Sequence, residues 1–199
     1  MYWDKIASLY DLFETVYNKK VYINTGKAVA EEIEAADRVL ECACGTGAIS
    51  VDIAPVCRAL TATDMADGML RQTSRKVRRF PNVRVRRADM TALRFRDNSF
   101  DKVVAGNVIH LLDDPQAAVR ELVRVCRPGG KVIIPTYINM IKNGSTGLVV
   151  KMINAMGANF KRQFDLDSYK QFFADAGYTD VKFSVVDGKM PCAVAVITK

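Results

Sequence analysis

Three carboxylates, Glu41, Asp64 and Asp89, each stand at the end of an apolar run with the composition of a β-strand. The first sits in the stretch VLECACGTGAIS, residues 39–50, just ahead of Gly45-Thr46-Gly47. A Gly-x-Gly turn between a strand and a helix exposes backbone amides and lets the main chain approach a nucleotide closely. In an open α/β sheet the carboxyl ends of the parallel strands share one edge, and ligands bind outside that edge where the strand order reverses. One acid at a strand end means little. Three at successive ends, with a glycine turn beside the first, predict a single acidic crevice that binds a nucleotide.

The charge at the glycine turn separates the nucleotides that fit such a crevice. A dinucleotide would lay its anionic pyrophosphate on the turn, where Glu41 repels it. At about 4 Å and an effective dielectric near 20 that repulsion is roughly 4 kcal/mol. S-adenosylmethionine brings an ammonium and a sulfonium, which Glu41 helps to balance, and a carboxylate that amides near Gly45 and Gly47 can face. Ser50 also replaces the third glycine of the dinucleotide pattern G-x-G-x-x-G. Asp64 is placed to accept hydrogen bonds from ribose hydroxyls, a sugar that both ligands share. The acid before the turn favours the methyl donor, with an NAD(P)-dependent Rossmann oxidoreductase and a non-catalytic S-adenosylmethionine-binding module as the alternatives.

Methyl transfer is an in-line displacement, so the protein chiefly has to align the acceptor, a contribution of up to roughly 7–11 kcal/mol. His110 is the only histidine. It follows the fourth strand, where it serves either as a general base or as a wall of the acceptor pocket. Cys42 and Cys44 alternate along a strand end, so their side chains are expected to point the same way, packed beneath the turn. One histidine and scattered cysteines form no metal constellation, and no metal is expected.

These groups require strands to carry them. Strand-like runs cover Arg38 to Cys42, Ala59 to Thr63, Val83 to Arg87, Lys102 to Gly106, Lys131 to Thr136, Val181 to Val186 and Ala193 to Thr198. Their alternation with helical patterns predicts an α/β fold with a mostly parallel sheet. DDPQAAVRELVRVCRPGG reads as a helix capped by Asp114, with Pro115 in its first turn. Val119, Leu122, Val123 and Cys126 form its buried stripe, and Pro128-Gly129-Gly130 is its stop. DLDSYKQFFADAG reads as a helix ended by Gly177. Asp187-Gly188 and Pro191 suit a hairpin that makes the last strand antiparallel to its neighbour. Residues 1–24 carry Ile6, Leu9, Tyr10, Phe13, Val16 and Tyr17 at helical spacing. Residues 138–164 interrupt the alternation of strands and helices. Both are expected to cover the substrate.

A chain of 199 residues, 49% apolar and 26% charged, fits one globular domain over residues 1–199. No apolar run is long enough to span a bilayer, and the N-terminus lacks a signal-peptide core. Five cysteines without a C-x-x-C pair suit a cytoplasmic, reduced protein. Much of the net charge of +7 lies in RQTSRKVRRFPNVRVRR, residues 71–87, where arginines fill the solvent face of a helix. No aromatics interleave with them, which argues against nucleic acid as a partner. A small-molecule acceptor and a monomer or homodimer are expected.

The chain closely resembles the class I S-adenosylmethionine-dependent methyltransferases, in particular their UbiE-like branch (methyltransferase type 11). LECACGTG resembles that family's first motif, with Ala43 where glycine is more usual. ATDMADGML resembles its second-strand motif, ADMTALRFRDNSFDKVVAGNVIHLL its third- and fourth-strand motifs, and RVCRPGGKVII its fifth-strand entry. The resemblance implies a Rossmann-like, seven-stranded sheet in order 3-2-1-4-5-7-6 with helices on both faces and strand seven antiparallel. It also implies cofactor roles. Glu41 would orient the methionine ammonium, and Ala43, Gly45 and Gly47 would line its path. Asp64 would hold the ribose and Met65 would pack on adenine. Asp89 would bond the adenine amino group and the Met90 amide a ring nitrogen. Asn107 would approach the methionine moiety, and Tyr10 resembles the tyrosine of an N-terminal lid. The asparagine/aspartate-Pro-Pro-aromatic stretch of base-modifying relatives is replaced here by Asn107-Val108-Ile109-His110.

Overall fold

Burial along each strand follows from its place in the sheet. In the computed structural model, which describes residues 18–138 and 161–199, the inner strands β1 (Arg38–Cys42), β4 (Phe100–Ala105) and β7 (Cys192–Thr198) are almost wholly buried. The outermost strands, β3 (Val83–Arg87) and β6 (Val181–Val186), alternate between half-buried and exposed residues. A sheet covered on both faces demands continuous apolar runs at its centre and tolerates alternation at its edges. With β2 (Ala59–Asp64) and β5 (Cys126–Tyr137) the order is β3-β2-β1-β4-β5-β7-β6. Strands β1 to β5 run parallel, and β7 is antiparallel to both β5 and β6. This is the expected order and direction. No helix among the described residues is long and apolar enough to cross a membrane.

The central strands split their side chains between two apolar layers. Leu40, Cys42, Val103, Ala105 and Ile134 face one core, which includes α4 (Pro115–Val125) and α5 (Leu166–Asp175). Val39, Val104, Ile133 and Val194 face the other, beneath α1 (Lys19–Ala30) and α2 (Ser50–Ile53). Helix α3 (Asp67–Val77) links β2 to β3, with Thr73 and Val77 buried and Arg71 and Arg75 exposed. Arg84, Arg86 and Arg87 keep the β3 edge charged, which discourages another strand from pairing there.

Helix ends follow local chemistry. Asp114 accepts from Ala117 N–H at 2.8 Å ahead of Pro115. Asp165 and Ser168 cap α5 reciprocally, and Gly177 beyond it has φ +84°. One boundary differs from expectation. Helix α4 stops at Val125, three residues before Pro128, because Cys126 turns extended and pairs with Phe100. Pro128-Gly129-Gly130 thus lies within β5, where a side chain at Gly130 would stand 2.5 Å from the Asp101 carbonyl oxygen. Of the expected lid over residues 1–24, residues 18–24 are described: Lys19 begins α1, Val21 is fully buried, and the Asn18 side chain donates to Met190 O at 3.0 Å.

At the amino-terminal edge of the sheet, Lys102 and Asp37 are both buried, with Nζ 3.1 Å from Oδ2. Asp37 Oδ2 also accepts from Glu34 N–H at 2.7 Å. Removing one member of a buried pair strands the other's charge. Lys102→Met is therefore expected to lower the free energy of urea unfolding by about 3–5 kcal/mol. A loss below about 1 kcal/mol would mean the pair behaves as a surface bridge.

Candidate functional site

Strand register sets the three acids on a diagonal. Glu41 is level with Ala62 on β2, so Asp64 stands two residues farther out. Asp64 is level with Arg87 on β3, and Asp89 is again two residues beyond it. Each step moves one strand sideways and roughly 6–7 Å along the strand direction. The Ala88 N–H donates to Asp64 O at 3.1 Å, which holds the β3 end against the β2 end. The expected convergence on the carboxyl edge is therefore found, as a slanted row rather than a cluster.

Glu41 is the most enclosed of the three, at 2% exposure, and its side chain lies on the α1–α2 side of the sheet. Ser50 Oγ, at the start of α2, donates to Glu41 Oε2 at 2.5 Å. Burial pushes the Glu41 carboxyl up to about 8; the Ser50 hydrogen bond pulls it down, and the Asp64 and Asp52 charges push it up further. A carboxyl in this setting is largely protonated at neutral pH.

The glycine turn is fastened from three sides. Gly45 N–H donates to Asp64 Oδ2 at 2.9 Å, Thr73 Oγ1 donates to Gly45 O at 2.7 Å, and Cys44 N–H donates to Thr63 O at 2.9 Å. Gly47 has φ +83° and a Cβ there would press on Thr73 at 3.1 Å, so the position requires glycine. A Cβ on Gly45 would meet no atom of the described residues within 4 Å. Ala43 has φ +50°, the left-handed region that glycine occupies without strain. That kink corrects the expectation for the thiols. Cys42 packs in one core layer and Cys44 in the other, because a positive φ at the intervening residue breaks strand alternation. Both are buried, and burial pushes the Cys42 thiol up to about 12 and the Cys44 thiol upward as well.

The second acid is held firmly. Asp64 Oδ1 accepts from Ala66 N–H at 2.9 Å while Oδ2 accepts from Gly45 N–H at 2.9 Å. Beside it Met65 is 42% exposed, a large apolar side chain on the rim. Asp89 Oδ1 accepts from the Thr91 N–H and hydroxyl at 2.9 and 2.7 Å. The Met90 side chain is buried in the core.

The β4 end forms the other wall. Asn107 has φ +52°; its N–H donates to Pro135 O at 2.8 Å and its Oδ1 accepts from Tyr137 N–H at 3.1 Å. Its side chain thus braces β5 as well as standing at the crevice edge. His110 lies in the 3₁₀ turn Ile109–Leu111, 4% exposed, and burial lowers its imidazole to about 4. The His110 carbonyl accepts from the N–H groups of Lys161 and Arg162 at 3.1 and 3.2 Å. Arg162 Nη1 donates to Leu112 O at 3.0 Å, and Lys161 pairs with Asp113. Ile138 bridges Phe164, so both ends of the 138–164 segment meet beside this turn. Tyr10 and residues 139–160 lie outside the described residues.

Sequence reasoning missed the residues that support the site. Ser50 counted only as a broken glycine pattern, and Thr73 drew no functional reading. Lys76 Nζ donates to Tyr22 OH and Thr46 Oγ1 at 3.3 and 3.4 Å, tying α1 and α3 to the turn. A hydroxyl one helical turn before a basic residue carries no signal of such a clamp.

Two outcomes follow from these geometries. Ala43→Gly relieves left-handed strain and is expected to raise unfolding stability by about 1 kcal/mol, measured in urea; a loss would contradict the assigned φ. His110 binds its proton more weakly folded than unfolded, so the unfolded state takes up the extra proton as pH falls from 6.5 toward 4. Wild-type stability should therefore drop relative to His110→Gln by up to about 3 kcal/mol across that window. Parallel pH profiles for the two proteins would exclude a buried neutral imidazole.

Residues 40–134 match the family model of the methyltransferase domain, Methyltransf_11. A demethylmenaquinone methyltransferase of Renibacterium salmoninarum is 28% identical, over 94% of this chain and 86% of that protein. The ubiquinone/menaquinone biosynthesis C-methyltransferase UbiE of Bdellovibrio bacteriovorus is 33% identical, over 66% of this chain and 58% of that one. A crystal structure from Thermotoga maritima, described as a SAM-dependent methyltransferase and possible histamine N-methyltransferase, shares the fold. It superposes with a TM-score of 0.76 at 18% identity, over 100% of this chain and 98% of that one. With the sheet order, the glycine turn and the row of strand-end acids, these likenesses support a class I S-adenosylmethionine-dependent methyltransferase of the UbiE type.

Proposed function

We propose that this chain methylates a ring carbon of a small, reduced quinone-type acceptor, with S-adenosylmethionine as donor. The observation that carries the donor assignment is the acidic diagonal of Glu41, Asp64 and Asp89 beside the Gly45 turn. The acceptor class rests on the names of the relatives, one a demethylmenaquinone methyltransferase and one a C-methyltransferase. When bound, the donor supplies a methyl group on a sulfonium centre.

The chain's residues then hold the two reactants in line. Glu41 takes the methionine ammonium, and Ala43, Gly45 and Gly47 bring the main chain alongside the methionine moiety. Asp64, held in place by the Gly45 and Ala66 amides, receives the ribose hydroxyls. Asp89 and the Met90 amide read the adenine edge, and exposed Met65 covers the ring face. Asn107 sets the turn beside the methionine moiety, and Tyr10 closes over it. Residues 1–24 and 138–164 enclose the acceptor.

The attacking carbon forms its bond to the methyl as the sulfonium–methyl bond breaks, and then loses its proton. His110 is neutral at pH 7 but, at about 4, a weak base. We therefore assign it to the pocket wall, with activation coming from the acceptor's own ionisable hydroxyl. The free, buried cysteines suit a reducing compartment, and we place the protein in the cytoplasm.

Calorimetry with S-adenosylhomocysteine and with NAD tests the donor, and radiolabelled transfer to a demethylated hydroquinone tests the acceptor. The expected result is binding of the homocysteine compound alone, with label on the ring. NAD-only binding would end the methyltransferase reading, and label on an amine but not on the hydroquinone would end the acceptor assignment.

A further inference from the structure

We propose that Ser50 is a positioning residue of the cofactor site, holding the Glu41 carboxyl so that it releases a proton to solvent as the cofactor's ammonium arrives. The inference rests on the methyltransferase reading. Ser50 occupies the place where a dinucleotide fold uses glycine to let the helix approach the strand closely. Here the close approach remains, and the serine, fully buried, spends its hydroxyl on Glu41 Oε2 at 2.5 Å.

The surroundings explain why the carboxyl holds a proton until a ligand comes. Among the described residues, the charged groups acting on Glu41 are Asp64 from β2 and Asp52 from α2, both acids. On its own strand and the turn stand Cys42 and Cys44, whose thiols burial keeps neutral. Lys27 of α1 acts on Asp52, whose carboxyl burial raises. An ionised Glu41 would thus add a third negative charge to a desolvated corner. An ammonium placed against it reverses that balance, and the carboxyl ionises: one O–H bond breaks, the proton passes to buffer, and an ion pair replaces it. Ser50 keeps the same oxygen hydrogen-bonded in both states, so the side chain need not reorient.

Titration calorimetry of the whole chain with S-adenosylhomocysteine, in two buffers of different ionisation enthalpy, measures the protons released. The expected release at pH 7 is close to one per ligand, and affinity should rise about tenfold from pH 6 to pH 7. Ser50→Ala removes the bond that favours the charged form and should move the profile to higher pH, weakening binding at pH 7 several-fold. Asp52→Asn removes a neighbouring negative charge and should move the profile to lower pH, a contrast that lost packing would not produce. Binding with no proton release and flat affinity from pH 6 to 7.5 would overturn the inference while leaving the donor assignment standing. Ser50→Ala with the wild-type profile would also overturn it. Absence of binding at every pH would instead overturn the proposed function.

Discussion

A carboxyl buried at the end of a central strand is the constraint on which the site depends. Glu41 sits on β1, flanked by β2 and β4, with the turn and α2 closing over it. Such burial opposes ionisation, and one serine hydroxyl offsets only part of the cost. A well-packed neutral residue would suit the empty fold better. Sites that bind charge commonly give up stability in this way, and the backbone shows the same tendency. Ala43 and Asn107, at the ends of adjacent strands β1 and β4, both hold positive φ without being glycine.

The rest of the molecule keeps that arrangement in place. Parallel strands deliver their ends to one edge, so register alone produces the acidic diagonal. Asp64 both belongs to that row and anchors the turn through Gly45, while Thr73 fixes the same peptide from the other side. A displaced α3 would therefore disturb the turn and the second acid together. On the far wall, the 138–164 segment returns through Lys161 and Arg162 onto the His110 carbonyl.

Much of this was readable from the sequence because the inner strands are buried on both faces. Arg38 to Cys42, Val83 to Arg87 and Val181 to Val186 coincide with the observed strands. The cap at Asp114 was equally legible, since side-chain oxygens at helix starts obey local rules. What escaped depended on tertiary context. Alanine does not advertise a left-handed φ, so Cys42 and Cys44 were expected on one face and lie on two. The end of α4 was set by strand pairing at Cys126 rather than by the nearby Pro-Gly-Gly. Helix α1 buries Val21, Thr25, Gly26 and Val29, a stripe too polar to stand out. The Ser50–Glu41 bond joins residues nine apart across a turn whose path no pattern gives.

The central claim is that Glu41 exists to meet a positive charge on a nucleoside ligand. A crystal structure of the chain with S-adenosylhomocysteine bound tests it most directly. The account predicts the ligand's amino nitrogen within hydrogen-bonding distance of a Glu41 carboxylate oxygen, with the ribose hydroxyls on Asp64. A ligand seated away from that edge, or an amino group bound elsewhere with Glu41 still facing only Ser50, would contradict it.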